Sequence, residues 1–206
     1  MRMIGKLLVA PLAVVALAVA TLAPAGASTP AGVSRPANVV DVLVQKSGSG
    51  GFDSNPWDYD VLIKAVTTAG LVDTLANTPN LTLFAPNDRA FVLTARSLGY
   101  TGWAEDGAWA FLVQALTQLG GGNPIPLLTQ ILEYHVAPAR LGALQVLFSR
   151  QVNTLLGVPF GVRLFQLVDN DPQIPNPYLN FFELQQEAAN GGIVHGITRV
   201  LLPIDV

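Results

Sequence analysis

His135 and His195 are the only histidines in these 206 residues, and there is no cysteine. A catalytic imidazole needs an oriented nucleophile, and a zinc ion needs at least three good ligands. The spacing supplies neither. No His-x-x-x-His or His-Glu-x-x-His occurs, and Ser97 and Ser149 lack the setting of a nucleophile elbow. The acidic stretches Glu105-Asp106 and Asp169-Asn170-Asp171 lack the regular oxygen-ligand spacing of a calcium loop, so they read as turn and cap residues. No phosphate-loop lysine follows the run Ser47-Gly-Ser-Gly-Gly51. Thiolate chemistry and cysteine-based zinc sites are excluded outright. We expect no catalytic residue, no cofactor and no bound metal. Both imidazoles read as partly buried groups hydrogen-bonded to backbone, holding neighbouring elements in register.

The elements around them follow from periodicity and punctuation. Asn38 to Val44 begins an apolar pattern, and the Gly/Ser loop follows it. Val61, Leu62, Ala65, Val66 and Ala69 recur at helical spacing, with Asp58 as a candidate cap and Gly70 as the stop. A short helix from Leu71 to Ala76 comes next, then a strand from Leu81 to Ala85. Pro86-Asn87-Asp88 turns the chain, and Asn87 or Asp88 can cap a helix reaching Ser97. Trp109, Leu112, Val113 and Leu116 line one face of a helix over 106–119, which Gly120-Gly-Gly122 ends. Pro126 suits the first turn of a helix running to about Tyr134. Beyond Pro138 the pattern turns to strands at Val152–Leu155, Val158–Val168, Tyr178–Leu184 and Ile193–Leu202. The three prolines between Asn170 and Pro177 demand a loop there. Helices first and strands last predict an α+β domain.

The ends carry a different message. Arg2 and Lys6 precede an apolar run from Leu7 to Leu22, and Ala25-Gly26-Ala27 fits a signal-peptidase site. Residues 1–27 read as a signal peptide, 28–37 as a flexible lead-in and 38–206 as one domain. Removal of the leader leaves nine basic and fourteen acidic residues, a net charge of −5. With 12% charged residues, the mature chain lacks the cationic surface that nucleic acid requires. We expect a secreted protein, extracellular or periplasmic, with no membrane span after cleavage. Its oligomeric state is left open.

Three phrases, in order, carry a family resemblance: Thr82-Leu-Phe-Ala-Pro-Asn-Asp-Arg-Ala-Phe91, Tyr134-His135-Val136, and His195 through Pro203. Together they resemble the signature of the fasciclin-type domain, over about Asn38 to Pro203. The resemblance implies a wedge of two small antiparallel sheets flanked by helices. It also gives Phe84, Pro86, Asn87, Asp88, Phe91, Tyr134, His135, His195 and Pro203 motif or structural roles. The chain departs from the family pattern in three places. Asn190-Gly-Gly-Ile-Val-His195 is one residue longer than usual, Thr198 stands where an acidic residue is frequent, and Tyr100–Asn123 is extended.

The resemblance implies a non-enzymatic adhesion module that binds a cell-surface or matrix protein or glycan. Tyr134 and His135, matching a pair implicated in receptor binding in some relatives, are candidate contacts. Trp103, in a loop between Gly102 and Ala104, is a third. The alternative is a carrier of a small apolar, lipid-like ligand, since half the residues are hydrophobic.

Overall fold

The side chain of Asn38 accepts the amide of Asp41 and so starts α1 (Val39–Ser47), which buries Val39, Val42 and Leu43. A computed structural model describes residues 35–48 and 51–204, which fall within one compact unit, Arg35–Val206. The expected signal peptide, 1–27, and residues 28–34 of the lead-in lie outside the described residues. The last three lead-in residues are not free, contrary to expectation. Arg35 pairs with Glu187, while the carbonyls of Pro36 and Ala37 accept the amides of Ala189 and Asn190.

Helices α2 (Asp60–Thr68) and α3 (Val72–Asn77) follow, then β1 (Thr82–Pro86) and α4 (Asp88–Ser97). Next come α5 (Glu105–Leu119), α6 (Ile125–Tyr134) with Pro126 in its first turn, and β2 (Val136–Ala137). The C-terminal part holds α7 (Ala143–Phe148), β3 (Gln151–Val152), β4 (Phe160–Arg163), β5 (Gln166–Val168), β6 (Gln186–Glu187) and β7 (Ile193–Ile197). One sheet has the order β2-β1-β7-β6 and the other β3-β4-β5. The expected architecture, two small sheets flanked by helices, is present, but the larger sheet is not wholly antiparallel. β1 and β7 run parallel, with Phe84 opposite His195. Between them lie helices and a second sheet, ample for the long crossover that a parallel pair needs.

Side chains of β1 alternate between two cores. Leu83 and Ala85 join a helix-side core with Leu43, Leu62, Leu132 and Val194. Phe84 joins the core between the sheets with Tyr134, Phe160, Leu167, Ile197 and Leu201.

Three local differences from the sequence reading have identifiable causes. The stretch Val158–Val168 is a hairpin and not one strand, because Leu164 turns it with φ 57°. Tyr178–Leu184 does not continue as a strand: Asn180 accepts the amide of Phe182 and starts a 3-10 helix, Phe181–Glu183. Helix α7 forms where no helix was expected, its first amide region held by the Gln145 side chain on Gly142 N–H.

Candidate functional site

Both motif histidines are interior. His135 follows the last residue of α6, and its Nδ1–H donates to Ile131 O at 2.7 Å while Nε2 accepts Leu201 N–H at 2.9 Å. His195, in β7, uses the opposite tautomer. Its Nδ1 accepts Gln185 N–H at 3.0 Å and its Nε2–H donates to Leu141 O at 2.8 Å. Each ring therefore bridges segments far apart in the chain. Burial pushes His135 down to about 4 and lowers His195 as well, so both are neutral. All four ring nitrogens are committed to backbone groups, and neither imidazole is free to take a proton from a nucleophile.

Tyr134 is fully buried and His135 is 1% exposed, so the pair cannot touch a partner in this conformation. This corrects the expectation of a contact there. The cause is position: α6 ends between the two sheets, and the Tyr134 ring packs edge-on against Phe160. Phe84, Asn87, Asp88, Phe91 and His195 are likewise buried. Pro86 ends β1, and Pro203 O accepts from Asn170 Nδ2.

Trp103, in contrast, is 64% exposed. The guanidinium of Arg96 lies 4.0 Å over its ring and is itself held by the carbonyls of Thr101 and Gly102. Gly102 and Gly107 are needed here, because a Cβ on either would lie within 2.3 Å of the Tyr100 hydroxyl, which bonds Ala104 O. Two further exposed aromatics share this side of the fold. Trp57, 55% exposed with Arg89 over it at 5.5 Å, and Phe182, 97% exposed, line one cavity of about 260 Å³ with Thr198. Trp103 borders a neighbouring cavity of about 360 Å³ with Pro56, Asp88, Val92 and Glu105. Pro56 and Trp57 are consecutive, and Arg89 N–H bonds Pro56 O, so the two cavities share a wall. Trp57 and Phe182 escaped the sequence reading because neither stands between small residues as Trp103 does.

Beneath this face lies a group of four buried acids: Asp58, Asp60, Asp88 and Glu105. Asn87 caps α4 through the amide of Ala90, as expected. Asp88 does something else, since its two carboxylate oxygens accept the amides of Asp60 and Val61 and so cap α2 from a different element. Asp58, expected to cap α2, instead accepts from Asn55 Nδ2. Glu105 Oε1 accepts the Asp53 amide, while its neighbour Asp106 accepts Gly107 N–H as a turn residue would. Desolvation, followed by the charges of Asp58, Glu105 and Asp53, pushes Asp60 up to about 6. Desolvation, followed by hydrogen bonds to Asp58 and Glu105, pushes Asp88 up to about 10, and Glu105 is raised too. The group draws on a loop and three helices, so no run of sequence reveals it.

An apolar cavity also exists under α5, bounded by Phe91, Trp109, Leu112 and Leu128, with a volume of about 60 Å³. Small-molecule sites usually hold roughly 300–1,000 Å³.

Comparison with known proteins places this geometry. The model of the Fasciclin domain family matches residues 58–203. No curated protein matches the chain. Among solved structures, the FAS1 domain pair of the insect cell adhesion molecule fasciclin I is similar, with a TM-score of 0.52 and 18% identity. The match covers 81% of this chain and 51% of that one, so the chain spans about half the length of the domain pair. At that identity the likeness is one of fold.

Proposed function

The chain belongs to the fasciclin domain family, and from that premise we propose that it is an exported, non-enzymatic adhesion module. Members of this family generally serve as adhesion or interaction modules, so the open question is which surface engages a partner. We assign that role to the face carrying Trp57, Trp103 and Phe182. The observation that supports it is the exposure of three large aromatics, two of them with arginines stacked on them. Tryptophan, tyrosine and arginine dominate binding hot spots, and paired arginines pre-order the indoles at little further entropy cost. The partner is a cell-surface or matrix protein or glycan. Export is supported by the leader pattern at residues 1–27, and no helix among the described residues is long and apolar enough to cross a membrane.

A double variant, Trp57→Ala with Phe182→Ala, tests this directly. Binding of the labelled protein to cell-surface and matrix preparations should fall at least about thirtyfold, as expected for removal of a hot-spot residue. The melting temperature should stay nearly constant. Undiminished binding would remove the assignment. The carrier alternative depends on the apolar cavity under α5, whose present volume is too small for a lipid chain. Lipid in solvent extracts of purified protein would revive it.

A further inference from the structure

We propose that Asp58, Asp60, Asp88 and Glu105 form a binding site for a divalent cation that prefers hard oxygen ligands, calcium above all. Cation binding is independent of which partner the aromatic face recognises, so either reading can fail without the other.

One carboxylate oxygen from each residue lies within 4.8 Å of every other. Two ligands placed opposite each other on calcium, each about 2.4 Å from the ion, are separated by about that distance. All four residues are buried, with none more than 7% exposed. The second observation is independent of the clustering. Asp60 is 1% exposed, yet neither of its carboxylate oxygens has a hydrogen-bond partner, and Asp58 Oδ1 also lacks one. A buried carboxylate without a partner is costly, and structures resolve that cost with a proton, a basic side chain or a metal ion.

Two of those three solutions fall short here. No lysine or arginine pairs with the group, since the ion pairs among the described residues converge on Glu187. Lys64, one turn along α2, lines a small cavity beside Asp60 without forming an ion pair. A proton on Asp60 would find no acceptor, because neither of its carboxylate oxygens has a hydrogen-bond partner. A cation supplies what remains.

The donor set then selects among ions. Four carboxylates with no histidine or thiolate disfavour zinc and copper. Magnesium demands near-ideal octahedral geometry and holds its waters, whereas calcium accepts six to eight oxygens in irregular arrangements. The cavity of about 360 Å³ that reaches Asp88 and Glu105 offers an approach from solvent. Binding would also tighten the loop before α2. Asp53 is already tied to Glu105 and Asn55 to Asp58, and that loop carries Trp57.

The test is a calcium titration of the EDTA-treated protein, read by calorimetry and by melting temperature. Calcium should bind with a stoichiometry near one. At a hundredfold excess over its dissociation constant it should raise the melting temperature by roughly 5–10 °C, with magnesium much weaker. Asp60→Asn should abolish the response, and Asp106→Asn, outside the group, should leave it intact. Glu105→Gln provides a second loss-of-response variant should Asp60→Asn fold poorly, because a glutamine oxygen can still accept the Asp53 amide. Absence of heat and of any thermal shift up to millimolar calcium would overturn the proposal. An equal response in wild type and both loss-of-response variants would overturn it as well.

Discussion

His135 and His195 bury four ring nitrogens and satisfy each one with a backbone group. Asp58, Asp60, Asp88 and Glu105 bury four carboxylates, and that burial, followed by acidic neighbours, raises the proton affinity of Asp60 and Asp88, while burial raises that of Glu105. Both sites consist of ionisable side chains in a protein interior, yet the first is complete and the second carries unsatisfied charge. The lesson is that burial alone does not classify a polar site. The histidines act as fasteners because their partners are fixed parts of the chain and each ring stays neutral. The acids, drawn from a loop and three helices, are incompletely partnered, since both carboxylate oxygens of Asp60 and Oδ1 of Asp58 have no hydrogen-bond partner.

The sharpest way to separate structure from recognition is to truncate on either side of the contrast. Phe84→Ala, in the core between the sheets and against Phe160 and His195, should cost about 3–5 kcal/mol in urea unfolding. His135→Ala removes one aromatic ring and leaves Ile131 O and Leu201 N–H without partners, so about 2–4 kcal/mol should be lost. An unchanged unfolding midpoint for His135→Ala would place that ring outside the fastening role. Asp60→Asn should act in the opposite direction in chelator-treated protein. Relief of like-charge repulsion should raise the melting temperature by roughly 2–4 °C, equivalent to about 1 kcal/mol. A lowered value would mean that the charge of Asp60 is already compensated. Trp57→Ala, on the exposed face, should change stability by no more than about 0.5 kcal/mol while weakening partner binding.

Much of this was legible in the sequence wherever local chemistry is self-contained. The phrase ending in Phe91 announced strand, turn, cap and helix, because Pro86 and Asn87 act on their immediate neighbours. The reading of the histidines as backbone-bonded core groups came from the lack of any partner nucleophile or ligand spacing. What stayed hidden depends on distant contacts. Leu164 adopts a positive φ that its residue type does not advertise, so the hairpin was invisible. Asp88 looked like a cap for its own helix and caps α2 instead, a choice made by the packing of α2 beside α4. Tyr134 and Trp103 both looked capable of contact. Only the fold distinguishes a ring at the end of α6 between two sheets from one on an open loop.

The motif histidines act as neutral internal fasteners. With only two in the chain, an NMR pH titration of the imidazole resonances tests this with little ambiguity. Because the pKa of folded His135 lies below its ordinary value of 6.5, the stability it confers is complete above about pH 6.5 and is lost as pH falls through about 4. His135 should keep the shifts of a neutral imidazole from pH 8 down to about 5, and His195 should titrate below its ordinary value, the two rings showing opposite tautomers. Either ring titrating freely near pH 6.5 in the folded protein would contradict that role.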